Sequence, residues 1–141
     1  MAGRTERRAE PGTDLPPRQY HVTRADLVRY AGASGDFNVI HWNERIAKSV
    51  GLPDVIAHGM LTMALAGRFL TEWAGDPGAI TEFGVRFSAP VAVPDDDKGA
   101  TVEVTGKVTE RLDDHQVAID VTARSNGDKV LTRARAVVRL G

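Results

Sequence analysis

Residues 58–73 read HGMLTMALAGRFLTEW, a segment that indicates which class of fold the chain adopts. The composition predicts a helix, and in its first half apolar side chains point in every direction instead of forming a single stripe. A helix of this kind is buried on most sides, which favours a position inside a curved sheet over packing on one flat face. We therefore expect the flanking sequence to supply a sheet.

Beyond Gly78 the pattern changes to period two, in which apolar and polar residues alternate as in half-buried strands. The alternation is seen in residues 82–88, 102–108, 117–123 and 130–140. Asp113-Asp114-His115 and Asn126-Gly127-Asp128 are turn signals between the later segments. With an early strand near residues 19–22, the chain predicts an α+β fold, an antiparallel sheet wrapped around the central helix.

Two shorter helices are predicted before the central one. Thr23 and Asp26 resemble a capping box with Asp in place of Glu, and a helix of about three turns follows, which Gly32 and Gly35 end. A second helix is predicted over residues 43–50, with Gly51 as its C-terminal stop.

Length and boundaries indicate one domain. The 141 residues, 42% hydrophobic and 26% charged, are enough to bury one core. Residues 1–17 are charged and rich in proline, with no apolar segment, so they predict a mobile N-terminal arm and not a signal peptide. The domain itself is expected over residues 18–141.

Composition excludes several function classes. The formal net charge is −1 and the basic residues are scattered, so we expect no nucleic-acid partner and no membrane partner. No membrane span is predicted either, because the best candidate, residues 55–70, carries His58 and Arg68. With no cysteine there is no disulfide framework and no Cys-ligated zinc, which fits a cytoplasmic location.

The chemistry-bearing segment is Ser34-Gly35-Asp36-Phe37-Asn38-Val39-Ile40-His41. It places a carboxylate and an imidazole five residues apart in irregular chain, the two groups most used for proton transfer. Gly59 opens the central helix, where a backbone N–H can face an anionic oxygen. These groups together suit the addition or removal of water next to a carbonyl. The residues alone leave open a turn-forming Asp36 and a packed His41.

The same motif, followed by Ala57-His58-Gly59-Met60-Leu61, resembles the MaoC-like (R)-specific hydratase/dehydratase family. Within it, the chain is most similar to the dehydratase B subunits of mycobacterial type II fatty-acid synthesis, from about Tyr20 to the C-terminus. The chain departs from the family at Val39, where proline is common, and so loses a fixed φ.

The resemblance implies a hotdog fold and reversible syn dehydration of (3R)-hydroxyacyl thioesters, with no cofactor. It implies Asp36 and His41 as the catalytic pair and the Gly59 N–H as the oxyanion donor. Asn38 and His58 are expected to be site architecture, and Met60 and Met63 are candidates for the acyl pocket. We expect no metal, because the sequence shows no cluster of His, Asp and Glu to match His58.

The expected partners are an acyl carrier protein or CoA thioester and a second hotdog subunit, in a homodimer or in a heterodimer with a homologous chain. Three alternatives stay open: a CoA-linked (R)-specific enoyl hydratase, a hotdog thioesterase, and a non-catalytic acyl-binding subunit of a heterodimer. Retention of both Asp36 and His41 argues against the last.

Overall fold

In the computed structural model, which describes residues 10–113 and 115–141, one antiparallel sheet curls around one long helix. The strands are β1 (Asp14–Val22), β2 (Ile80–Phe87), β3 (Ala100–Arg111), β4 (Gln116–Ser125) and β5 (Asp128–Arg139). Their order across the sheet is β1-β3-β4-β5-β2, so β1 and β2 are its edges. The predicted α+β architecture is confirmed.

The helices follow the sequence signals. They are α1 (Arg24–Ser34), α2 (Glu44–Ser49) and α3 (Gly59–Ala74), with short 3₁₀ helices at Val39–His41 and Pro77–Ala79. The predicted capping box is present at α1, because Thr23 and Asp26 satisfy each other's backbone N–H groups. None of the helices in the described residues has both the length and the apolar character needed to cross a bilayer.

The central helix α3 packs its buried face against the sheet through Thr62, Ala66, Phe69 and Leu70. The inward side chains of β3, β4 and β5 complete this core, as the period-two pattern predicts. The expectation that the first half of α3 is buried on most sides, however, is wrong: Met60 is 57% exposed and Ala64 is also exposed. The reason is that the sheet of one chain covers only one side of the helix.

The first strand is longer than predicted. It begins at Asp14 instead of residue 19, so residues 14–17 belong to the sheet and not to the expected arm. Pro16 and Pro17 hide this strand from a sequence reading, but β1 is an edge, where proline is tolerated, and the register with β3 shifts between Leu15 and Arg18. The first nine residues of the expected arm lie outside the described residues.

Two local features shape the late strands. The predicted turn at Asn126-Gly127 is confirmed as a two-residue hairpin in which both residues have positive φ, 52° and 81°. The other predicted turn includes Asp114, which lies outside the described residues. In β5, Arg133 has a φ of 45° where the pairing with β2 shifts register, which marks a bulge and a bend of the strand.

Arg24 ties the helical segment to the chain between β2 and β3. Its guanidinium binds Asp54 and, at 3.0 Å, the Glu44 carboxylate of α2, while its Nε donates to the Val93 carbonyl at 3.0 Å. Beside these contacts, Ile56 and Ala92 form an isolated antiparallel bridge. The segments before and after α3 are thereby fixed at the place where the candidate site lies.

Candidate active site

A pocket of about 710 Å³ opens at the N-terminus of α3. One wall comes from α1 and the loop after it, the opposite wall from the end of β2 and the residues that follow. The lining residues are Tyr30, Ser34, Asp36, His41, Ile56, Ala57, His58, Gly59, Met60, Thr62, Phe87, Ser88, Ala89, Pro90, Val91 and Val130. Its size and mostly apolar lining suit a small-molecule acyl group.

Short side-chain hydrogen bonds hold the loop that carries Asp36. The Asp36 N–H donates to Ser34 Oγ at 3.1 Å, and the Asp36 side chain accepts from the Asn38 N–H at 3.2 Å. Asn38 in turn accepts from the Ile40 N–H at 3.3 Å, which starts the 3₁₀ helix that ends at His41. Asn38 thus bonds within the loop and does not line the pocket.

His41 is buried, with 8% of its surface exposed, and its orientation is fixed. Its Nδ1 lies 2.6 Å from the Ile56 carbonyl oxygen, which can only accept, so Nδ1 carries the proton in the neutral ring. Nε2 is therefore the nitrogen left for chemistry. It lies 3.9 Å from Asp36 Oδ2, too far for a hydrogen bond but close enough for both atoms to face one substrate.

Asp36 differs from His41 in its exposure. Its side chain is 53% exposed, so the carboxylate lies at the mouth of the pocket, whereas the imidazole forms part of the pocket wall. The pair therefore offers one solvated acid/base group and one shielded group on the same side of the site. This arrangement can move two protons on one face of a bound molecule.

Gly59 begins α3, and no side chain caps this helix end within the described part of the chain. The first N–H groups of the helix thus stay available for an anionic oxygen at the positive end of the helix dipole. A Cβ at Gly59 would lie 3.1 Å from the Phe87 ring, so glycine allows Phe87 of β2 to approach the helix end closely.

His58 is nearly fully buried, with 1% of its surface exposed. Its Nε2 lies 3.1 Å from the Asp36 carbonyl oxygen, and its ring stacks on His41 with centroids 3.8 Å apart. Burial lowers the pKa of the His58 imidazole below its usual 6.5, and the hydrogen bond to the Asp36 carbonyl opposes this shift. Its Nδ1 is buried with no partner among the described residues.

The reason given for expecting no metal is wrong, because Asp36, His41 and His58 offer ligand atoms within 4.8 Å of one another. Yet the two imidazoles are stacked, with 22° between their planes. The lone pair of an imidazole nitrogen lies in its ring plane, so stacked rings do not aim two lone pairs at one ion. His41 Nδ1 is in addition engaged by Ile56. The cluster suits proton transfer better than metal binding.

The pocket is lined by some residues that were not predicted, and by one of the two methionines that were. Tyr30, Thr62 and the segment after Phe87 also line the pocket, and no sequence pattern marked them as site residues beyond their place in predicted elements. Met60 lines the pocket, as expected for an acyl-pocket residue. Met63 is not among the residues that line the pocket: it directly follows Thr62 on α3, and successive side chains of a helix point about 100° apart.

The family model described as MaoC like domain matches residues 7–126. Over 85 residues the chain is 40% identical to 3-hydroxyacyl-thioester dehydratase X of Mycobacterium tuberculosis, a match that covers 60% of this chain and 29% of that protein. Over 91 residues it is 37% identical to the (R)-specific enoyl-CoA hydratase of Rhodospirillum rubrum, covering 64% of this chain and 62% of that protein.

A solved structure described as a MaoC-like dehydratase superposes with a TM-score of 0.90 at 46% identity, covering 94% of this chain and 41% of the other. The hotdog fold expected from the sequence is confirmed by this likeness. The chain spans less than two thirds of the length of these two curated relatives.

Proposed function

Because the chain belongs to the MaoC-like family, we propose that it catalyses the reversible syn dehydration of (3R)-hydroxyacyl thioesters to trans-2-enoyl thioesters. The observation that carries this proposal is the approach of Asp36 Oδ2 to His41 Nε2 at 3.9 Å, beside the uncapped N-terminus of α3. Such a site supplies two proton-transfer groups and an oxyanion donor to one substrate.

In the dehydration direction, the Asp36 carboxylate accepts the proton from C2 of the substrate. The C2–H electron pair becomes the C2–C3 double bond as the C3–O bond breaks. The protonated His41 gives its Nε2 proton to the departing hydroxyl, which leaves as water. Hydration runs through the same steps in reverse, and each such proton transfer typically contributes about 10² to 10⁴-fold in rate.

The Gly59 N–H is proposed to hold the thioester oxygen. This oxygen gains negative charge as the C2 proton leaves, and the helix N-terminus provides both a donor and a favourable dipole. If it resembles other oxyanion donors, it lowers the barrier by roughly 3 to 4 kcal/mol. Met60, at the pocket, is proposed to contact the acyl chain.

For the carrier, we propose acyl carrier protein over CoA by a narrow margin. The match to a thioester dehydratase supports this choice, as do the exposed basic residues Arg86 and Lys98 after α3, since carrier proteins are acidic. The similarity to an (R)-specific enoyl-CoA hydratase favours the alternative carrier. A cytoplasmic location is proposed because both carriers are found there.

The proposed assembly is a homodimer, or a heterodimer with a homologous hotdog subunit, formed through β2. Both β1 and β2 leave one edge unpaired, but Pro16 and Pro17 make β1 a poor template for another strand. β2 has no proline, and Phe87 on it is 52% exposed. A fully active monomer in light scattering at assay concentration would contradict this assembly.

The test of function is turnover of purified protein on crotonyl-CoA and on enoyl and 3-hydroxyacyl groups carried by acyl carrier protein. We expect reversible hydration with (3R) product on at least one carrier. Release of free thiol instead would establish the thioesterase alternative. Absence of turnover on both carriers, while the folded protein still binds acyl thioesters, would establish the non-catalytic subunit.

A further inference from the structure

We propose that His58 is a positioning residue that holds both members of the acid/base pair in register. Its Nε2–H donates to the Asp36 main-chain carbonyl, and its ring face supports the ring of His41. The inference deepens the proposed function and rests on it for the reaction, although the contacts themselves do not depend on any substrate.

The hydrogen bond fixes the tautomer of His58. A carbonyl oxygen can only accept, so the Nε2 atom 3.1 Å from it must carry the proton. One side chain on the residue before α3 is thereby tied to the loop that carries Asp36, 22 residues earlier in the chain. This bond holds the carbonyl of Asp36 itself, whereas the indole of Trp42 holds the neighbouring Phe37 carbonyl at 3.0 Å and the Ile56 N–H holds the Ile40 carbonyl at 3.1 Å.

Stacking fixes the second member of the pair. The His58 ring lies between His41, with centroids 3.8 Å apart, and Tyr30 of α1, at 4.7 Å and tilted by 58°. His41 is held in its plane by Ile56 and across its face by His58. Two independent constraints thus set where His41 Nε2 points.

His58 departs from two usual requirements for stability, a side-chain cap at a helix N-terminus and a hydrogen-bond partner for each buried polar atom, and this favours a role in the site. It occupies the N-cap of α3, where Ser, Thr, Asp or Asn would bond the first N–H groups, but it makes no side-chain cap bond. Its Nδ1 is in addition buried without a partner among the described residues. Departures from local stability rules concentrate at functional sites.

Charge is consistent with this role. The titratable groups that face His58 are His41, Asp36 and Tyr30, and burial together with His41 lowers the pKa of His58. A lowered pKa favours the neutral form of His58, so the proposed proton transfer falls to His41. The proton is therefore delivered by one defined ring, with Nε2 as its only free nitrogen.

The experiment compares His58→Gln, which keeps a donor near the position of Nε2 but loses the ring, with His58→Phe, which keeps a ring but loses the donor. We expect each variant to lower kcat about tenfold or more, since small misplacements of reacting groups are costly, with KM within about twofold. The pH profile of kcat should shift on the limb that reports His41. His21 is an exposed histidine on β1, and His21→Gln serves as the control. It should leave kcat, KM and the pH profile of kcat unchanged.

Imidazole nitrogen NMR keeps the two proposals apart. In the wild type, we expect the Nε2–H tautomer for neutral His58, a His58 pKa below 6.5, and a changed His41 titration in both variants. The positioning role would be overturned if both folded variants kept the wild-type kcat and the wild-type His41 titration. An Nδ1–H tautomer of His58 in the wild type would also overturn it. If the wild type turns over no thioester but the NMR results are as expected, only the proposed reaction is overturned.

Discussion

At the scale of single residues, the site is built from two groups that are held very differently. Asp36 depends on a loop of short side-chain turns and is half exposed, whereas His41 is buried, stacked and bonded to Ile56. Substitutions that remove the reacting atom of each group but keep its local hydrogen bond, to the Asn38 N–H or to the Ile56 carbonyl, are therefore possible. Such variants separate an effect on the reaction rate from an effect on the stability of the fold.

Asp36→Asn keeps the oxygen that accepts from Asn38, and His41→Asn keeps a donor for the Ile56 carbonyl while removing Nε2. We expect each change to lower dehydration by at least about 10², because each removes one proton transfer, with the melting temperature within a few degrees. Asp120→Asn and His21→Asn, both at exposed strand positions, are matched controls. Near-wild-type turnover in both site variants would end the acid/base proposal.

His58 also predicts a pH dependence of stability. Its pKa is lowered in the folded state, so below pH 6.5 the unfolded chain binds more protons than the folded chain. The contribution of His58 to stability is therefore fully present above pH 6.5 and is lost as the pH falls through the lower folded pKa. Urea midpoints at pH 7.5 and 5 should show a smaller acid loss in His58→Gln than in wild type. An equal loss in both proteins would refute the prediction.

At the scale of elements, the most demanding contact is where the loop before β3 meets the end of β1. Gly99 has a φ of 65°, and a Cβ there would lie 2.1 Å from the Val22 carbonyl oxygen and 2.9 Å from Thr23 Cα. The backbone of one strand end therefore touches that of another, with no side chain to move aside. The start of α1 lies directly behind this contact.

Gly99→Ala is expected to lower the free energy of unfolding by more than about 3 kcal/mol, because it adds a backbone clash to the strain of positive φ. Gly75→Ala is the matched control. Gly75 has a φ of 75° with nothing within 4 Å of an added Cβ, so we expect a loss of only about 1 kcal/mol. Chemical denaturation of both variants measures the difference, and equal losses would show that the loop moves away freely.

The elements also show what a sequence can and cannot predict. The late strands have a clear period-two alternation, α3 is a long apolar segment, and Asn126-Gly127 has specific turn chemistry, so all were predictable. The start of β1 was not, because proline argues against a strand unless its edge position is known. Asp36 and His41 share one loop and could be paired from the sequence. The stack of Tyr30, His58 and His41 joins three separate segments, whose contact only the tertiary structure gives.

At the scale of the whole molecule, the net charge of −1 means that attraction of an acidic carrier protein depends on local basic residues near the pocket. Arg86 at the end of β2, one residue before the pocket-lining Phe87, is the best placed. Rim charges of this kind mainly raise association rates and are screened by salt.

Activity on an acyl carrier protein substrate should therefore fall more steeply with added salt than activity on the same acyl group attached to a pantetheine analogue. The Debye length shrinks from about 10 Å at 0.1 M to about 3 Å at 1 M, so most of the loss should occur in that range. Arg86→Gln should flatten the salt dependence, and Lys107→Gln, on β3, should not. If kcat/KM for acyl-CoA equals or exceeds that for acyl carrier protein at low salt, CoA is the carrier.

The ties made by Arg24 have a consequence for motion. One guanidinium joins the start of α1 to α2, to Asp54 and to Val93, and the amides of Ile56, Ala57 and Val93 bond across the same region. These segments should open as one cooperative unit, so native-state hydrogen exchange should give the three amides a common opening free energy, below that of global unfolding. Arg24→Lys should lower all three values together, because local opening of such a unit would part the pocket wall while the sheet stays folded.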